Sequence, residues 1–401
     1  MPRLASHLGR LTSEGALEVF ARARALEREG RSIIHLELGE PEFHPAPDVI
    51  EAAREALSAG LDRYGPSEGI PLLREAVAEY LARTRRLHYE PKNIFIAPGC
   101  KTVLMMCMLS VIEPGSEVLY PDPGFPMYAS ATHALGAQPV PFRLLEKNKF
   151  QPDPQEIAAK ITPRTRVILL NSPGNPTGTV YDRSVLESIA ELARRHDLWV
   201  VSDEIYARII YSGAYESIAA LPGMAERTVI IDGFSKSFAM TGWRLGYAAA
   251  PPEIISALRM LAINSYSCAP EFIQRGGIAA LRDSSGAVAT MVAEYTRRRA
   301  SFVAALNRIP GFRCRPPEGA FYAWVNTADT GLSAAELCRV LLEEAGVAAI
   351  PGESFGSAGQ DFVRFSFAGA SALLDEAACR MESVASRWIA NATAVTGREK
   401  K

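Results

Sequence analysis

The chain has 401 residues, 48% of them hydrophobic, which is enough to build a sizeable core and, by length alone, about two to three domains. Its 43 basic residues nearly balance 45 acidic ones, and the net charge of −2 leaves no electrostatic footprint for nucleic acid or an anionic membrane. Six scattered cysteines without a CxxC pair read as free thiols, and the longest apolar run, residues 103–112, is far too short to span a bilayer. No basic-then-apolar leader opens the chain, so the expected setting is the reducing cytoplasm, with no metal site.

In chain order, the first expected element is a helix over residues 15–29. Short buried strands follow at 94–97, 118–120, 167–170, 199–202, 229–232 and 245–249, each an apolar, β-rich run. Amphipathic stretches separate several of them; in 184–195, Leu186, Ile189, Ala190 and Ala193 make one face. Strands alternating with helices predict an α/β fold, a mainly parallel sheet covered on both faces. From about residue 285 the pattern changes to a long helix ending at 306, and its Arg297-Arg298-Arg299 run reads as a solvated face. Two strand-like segments, 321–325 and 363–367, and a closing helix predict a smaller α+β domain completed by the N-terminal helix. The expected division is a large domain over 46–290 and a small one built from 1–45 and 291–401.

Ligands of an open α/β sheet bind outside the carboxyl ends of its strands. The residues that follow the predicted strands are Gly99-Cys100-Lys101, 171–175, Asp203 and Lys236. Each has a plain structural explanation by itself: a tight turn, a helix cap, a surface lysine. Together they match the needs of pyridoxal phosphate: a lysine amine for a Schiff base, a carboxylate to keep the pyridine nitrogen protonated, and an amide and a tyrosine (Asn175, Tyr206) near the phenolate oxygen. The phosphate needs backbone N–H groups at a helix N-terminus and a cation, available at Gly99-Cys100-Lys101 and Arg244. No G-x-G-x-x-G follows the first strand, which argues against a nicotinamide-binding Rossmann unit.

The segment Gly233-Phe-Ser-Lys236-Ser-Phe-Ala-Met-Thr-Gly-Trp-Arg244-Leu-Gly246 resembles the lysine-attachment signature of class I/II aminotransferases. Further blocks are similar to that family: Leu38-Gly-Glu-Pro41, Tyr64-Gly65, Asn171-Ser-Pro-Gly-Asn-Pro-Thr-Gly178, Ser202-Asp-Glu-Ile-Tyr206, Pro317-Glu-Gly-Ala-Phe-Tyr322 and Val363-Arg-Phe-Ser366. The resemblance spans residues 15–385 or so and implies a fold-type I, pyridoxal-phosphate-dependent aminotransferase that acts as a homodimer with its sites at the interface. It implies that Lys236 carries the cofactor and shuttles the substrate proton, and that Asp203 pairs with the ring nitrogen. Asn175 and Tyr206 would then serve the phenolate oxygen, and Phe125 would stack on the ring. Gly99, Cys100, Lys101, Ser235 and Arg244 fall at phosphate positions, and Tyr64 at the position that reaches the partner's phosphate. Arg364, with the Gly39 backbone opposite and Asn175 nearby, falls where the α-carboxylate of an amino acid or 2-oxo acid is clamped, a task suited to a planar guanidinium fork.

One departure is Gly233, where many relatives carry a phosphate-binding serine; either Ser235 substitutes in part or the phosphate cup lacks one donor. A carbon–sulfur lyase of the same fold shares Lys236, Asp203 and Arg364 and stays open as an alternative. A non-catalytic regulator is disfavoured, because some fifteen residues precede the first predicted helix and leave no room for a DNA-binding unit. For side-chain selection, residues 13–17, Phe125, Tyr128 and Tyr266 form the expected wall. With Glu14 in that wall, neutral or aromatic amino acids are the expected donors rather than aspartate, and 2-oxoglutarate or pyruvate the acceptor.

Overall fold

The structure is a computed structural model that describes residues 4–12, 15–283 and 285–388. Its centre is a seven-stranded sheet: β1 (Ile94–Ala97), β2 (Glu117–Asp122), β3 (Gln138–Arg143), β4 (Thr165–Asn171), β5 (Trp199–Asp203), β6 (Thr228–Gly233) and β7 (Gly246–Ala249). The spatial order is β1-β7-β6-β5-β4-β2-β3, and only β7 runs antiparallel to its neighbours. Val167, Ile168 and Leu169 of β4, like Val200 and Val201 of β5, are fully buried, as continuous apolar runs between two helical layers must be. Helices Cys100–Val111 and Pro252–Ile263 pack on one face of β1, β7 and β6. Helices Pro71–Arg85 and Glu271–Arg282 pack on the other. All six expected strands are present. The seventh, β3, escaped the sequence reading because Pro139 and Pro141 interrupt it, and proline is tolerated there because β3 is an edge strand.

A four-stranded antiparallel sheet follows in the order Ile350–Pro351, Phe362–Ser366, Tyr322–Asn326, Arg313–Cys314. The long helix Ala287–Leu306 covers it through Met291, Tyr295, Phe302 and Leu306, which meet Phe321, Val325, Val363 and Phe365. The N-terminal helix Gly15–Arg28 packs through Ala23 and Leu26 on Leu342 and Ala348. Next to it, Ile34–His35 pairs in parallel with Val347–Ala348, so the start of the chain is tied to its last third.

The arginine run departs from its expected solvated face. Arg297 is exposed, but Arg298 shares the helix stripe of Met291, Tyr295 and Phe302 and is buried. Its guanidinium is satisfied there by Glu294 at 2.8 Å, by Glu42 and by the carbonyls of Ala368 and Gly369. Among the described residues, no helix is long and apolar enough to cross a membrane, and no cluster of His, Cys, Asp and Glu could hold a metal ion.

Candidate active site

The carboxyl ends of β1, β4, β5 and β6 open onto one cavity of about 250 Å³. After β1 the chain turns through Gly99, at φ +88°, into the helix Cys100–Val111. Only glycine fits that turn: a Cβ would stand 2.5 Å from Arg244 Nη2, and the dihedral itself disfavours a side chain. The first N–H groups of this helix have no partner within it, and Cys100 and Lys101 line the cavity with Arg244 and Ser235, a setting that attracts an anion.

At the end of β4, Asn171 organises the turn that follows. Its Oδ1 accepts the Asn175 N–H at 2.8 Å, and its Nδ2 donates to the Asp203 carbonyl at 3.1 Å. Asp203 closes β5 with its carboxylate in the cavity. The Tyr128 hydroxyl donates to its Oδ2 at 2.7 Å, and the Ile205 N–H approaches Oδ1 at 3.3 Å. Burial nevertheless wins over these hydrogen bonds and pushes the carboxyl up to about 6. Lys236 lies on the loop after β6 and donates from Nζ to the Gly39 carbonyl at 2.6 Å. Burial pulls this amine down to about 8, so a sizeable share is neutral near physiological pH.

Arg364 enters from the smaller sheet and is only 4% exposed. It donates from Nη1 to Asn175 Oδ1 at 2.9 Å and from Nη2 to the Glu37 carbonyl. Its guanidinium carbon lies 4.3 Å from the centre of the Tyr322 ring and 4.8 Å from that of Phe355. The hydroxyls of Tyr206 and Tyr322 share a hydrogen bond of 2.7 Å. A Cβ at Gly39 would fall 2.0 Å from the Tyr322 hydroxyl, so close approach of the backbone there requires glycine. Chemically, the cavity offers an amine, a carboxylate suited to a protonated nitrogen, an anion cradle and a guanidinium for a carboxylate.

Of the residues singled out from sequence, Gly39, Cys100, Lys101, Phe125, Asn175, Asp203, Tyr206, Ser235, Lys236, Arg244 and Arg364 line the cavity, and Gly99 supports it from behind. Tyr64 does not: it is 91% exposed on the surface. Tyr266 is also absent from the lining and packs half-buried against the core beside the helix Pro252–Ile263. Tyr128 does line the cavity, but its hydroxyl is committed to Asp203 instead of facing a ligand freely. Ser13 and Glu14 lie outside the described residues.

The departure at Gly233 has a steric reason. Cys100 Sγ would be 2.7 Å from a Cβ on Gly233, and Gly246 Cα 2.9 Å, so the thiol fills the space a serine would use. Tyr322, Ile350, Ser354 and Phe355 also line the cavity and were not among the expected residues. Tyr322 ends the family-like block that begins at Pro317, so the sequence does carry a signal for it. The short turn Gly352–Phe355 has none.

The family model described as aminotransferase class I and II matches residues 31–381. An aspartate aminotransferase of Pyrococcus abyssi is 42% identical over 88% of this chain and 92% of its own. The aromatic-amino-acid aminotransferase 2 of Thermococcus litoralis is 42% identical over 88% of this chain and 91% of its own. Among solved structures, an aspartate aminotransferase from Thermus thermophilus superimposes with a TM-score of 0.92 at 36% identity, over 96% of this chain and all of that one.

Proposed function

The chain belongs to the aminotransferase class I and II family, and from that premise we propose that it carries an amino group between an amino acid and a 2-oxo acid, with pyridoxal 5′-phosphate held at Lys236. The observation that carries the proposal is that Lys236, Asp203 and Arg364 converge on one cavity from three separate parts of the chain.

The residues fit the cofactor. A carboxyl near 6 is ionised at neutral pH, and a ring nitrogen beside it would keep its proton. The N-terminus of the helix Cys100–Val111, with Ser235 and Arg244, suits a phosphate, and Phe125 offers a flat apolar wall to a ring. When bound, pyridoxal phosphate supplies an electron sink for the pair left on the substrate α-carbon as its proton departs.

The chain's own residues do the rest. Lys236, an amine near 8, takes and returns that proton, and the Gly39 carbonyl orients it. Asp203, steadied by Tyr128, holds the proton at the ring nitrogen. The Oδ1 of Asn175 accepts from Arg364, which leaves its amide Nδ2 as the group that would serve the phenolate oxygen, with the Tyr206 hydroxyl as the other donor. Arg364 grips the α-carboxylate through its planar fork. Ile350 and Phe355, both buried, give the cavity an apolar wall.

The apolar lining by Leu17, Leu38, Phe125, Ile350 and Phe355 supports neutral or aromatic donors over aspartate, with 2-oxoglutarate or pyruvate as acceptor. A homodimer, in which the exposed Tyr64 reaches the partner's phosphate, belongs to the same proposal. So do a cytoplasmic setting without nucleic acid or membrane, and a division of the chain near residues 45 and 290. That division is supported by the pairing of Ile34–His35 with Val347–Ala348.

Borohydride should fix the cofactor to Lys236 of purified protein, and Lys236→Ala should abolish the fixation and lower kcat by about 10²–10⁴-fold or more. Unchanged turnover in Lys236→Ala overturns the assignment. A donor panel in which aspartate wins by more than about tenfold in kcat/KM, roughly 1.4 kcal/mol, overturns the substrate preference alone.

A further inference from the structure

We propose that Arg85, on the far face of the sheet from the cavity, is a positioning residue that balances the charge beneath Asp203 and the Lys236 loop. The inference rests on the cofactor assignment above.

The geometry begins with strand alternation. Asp203 is in register with Ile231 of β6, so both point to the cavity face, and Asp232 points to the other. There Arg85, the last residue of the helix Pro71–Arg85, bonds Asp232, and its Nε lies 3.3 Å from Glu204 Oε2. Tyr247 donates to Asp232 at 2.8 Å, while Ser202 and Ser217 donate to Glu204 at 2.9 and 2.5 Å. All three charged groups are buried: Glu204 is fully covered, Asp232 3% exposed and Arg85 5%. Asp232 Oδ1 also accepts the Gly233 N–H at 2.6 Å, at the start of the loop that carries Lys236.

Two carboxylates therefore meet one guanidinium immediately behind the two strand ends that hold the proposed cofactor groups. Glu204 follows Asp203 in the chain and Asp232 opens the Lys236 loop, so the cluster ties both ends to one helix. Both carboxylates disfavour ionisation of Asp203 through the sheet, and Arg85 favours the charged form of Glu204, one of the two. On the cavity face Asp203 meets Tyr128, Tyr206, Cys100 and Lys236. On the far face, among the described residues, the cluster also meets Tyr80, Tyr89, Tyr215, Tyr247 and Arg208, with Glu226 beside Tyr89.

Arg85→Met removes a cation and favours the protonated form of every nearby group, whereas Glu204→Gln removes an anion and does the reverse. The test is the pH midpoint of the visible absorption band of the protein loaded with pyridoxal phosphate, with cofactor affinity measured in parallel. Arg85→Met should raise the midpoint by ~0.5 unit or more and weaken cofactor binding by about tenfold, and Glu204→Gln should lower the midpoint. Arg85→Lys should stay near wild type, and adding Asp232→Asn to Arg85→Met should restore most of the affinity. Midpoints that do not move, or that move the same way in Arg85→Met and Glu204→Gln, overturn the proposal. If Arg85→Met does not fold, Glu204→Gln decides alone, and an unmoved midpoint overturns it. A wild-type protein that binds no pyridoxal phosphate overturns the cofactor assignment and this inference with it, an outcome distinct from a bound cofactor that ignores Arg85.

Discussion

The hydroxyl of Tyr128, on the helix Met127–Ala134, donates to Asp203 Oδ2 at 2.7 Å, and the tyrosine is fully buried. Among the described residues this contact is the side-chain hydrogen bond that resists the effect of burial on Asp203, and it comes from a helix that precedes β3 and β4 in the chain. Tyr128→Phe keeps the ring and removes the donor. The bond lowers the Asp203 pKa, so its loss raises that pKa and the carboxylate takes up a proton at higher pH. The acid limb of the kcat/KM profile should therefore move to higher pH, and kcat at neutral pH should fall about tenfold or more, the worth of a hydrogen bond to a charged group. A superimposable pH profile would show that Tyr128 serves packing alone.

In the proposed function Arg364 would contact only what all amino-acid substrates share. Arg364→Lys keeps the charge but loses the planar fork held by Asn175 and the Glu37 carbonyl. It should lower kcat/KM for every donor by a similar factor, about ten- to a hundredfold, or about 1.5–3 kcal/mol. A loss confined to one donor class would place Arg364 at the side chain instead.

Tyr64 tests assembly. It is 91% exposed and absent from the cavity of its own chain. Sedimentation should give at least a dimer, and mixing Lys236→Ala with Tyr64→Ala should regenerate activity, because one site of each mixed pair then has both residues intact. A fully active monomer would remove Tyr64 from the site.

Gly233 tests the packing of the anion cradle. Gly233→Ser drives a side chain into Cys100 Sγ, with a Cβ only 2.7 Å away, and should cost about 1–3 kcal/mol of stability and weaken cofactor binding. Cys100→Gly in the same chain should recover part of both losses, read by thermal unfolding and cofactor titration. An unaffected single variant would mean that the thiol moves aside freely.

The central sheet was legible because its middle strands are continuous apolar runs, and the chemistry was legible because a parallel sheet delivers the residues after those runs to one edge. That rule placed Asp203 and Lys236 at the cavity they line, and the roles proposed for them rest on the resemblance as well. β3 was hidden by Pro139 and Pro141, which only an edge position excuses. Arg298 looked solvated because a run of three arginines spans more than one helix face, and no composition rule says which of them turns inward. The parts of the site that stayed out of view are pairings between distant segments: Tyr128 with Asp203, Tyr206 with Tyr322, Phe355 over Arg364. Local pattern carries no information on such partners.

The reversed direction of β7 has a further consequence. Gly233 ends β6 and Gly246 begins β7, and the two are register partners across the sheet. Had β7 run parallel to β6, the connection would have crossed to the opposite edge and returned, and Arg244 would begin a strand far from Lys236. Reversal lets one loop, residues 234–245, leave and re-enter the sheet at the same edge. The amine near one end of that loop and the guanidinium near the other thus share a single hinge made of two facing glycines. Their separation is set by the spacing of adjacent strands, which would fix the distance from the proposed covalent anchor to the proposed anion site, while the crest between them is itself packed, with Met240 fully buried.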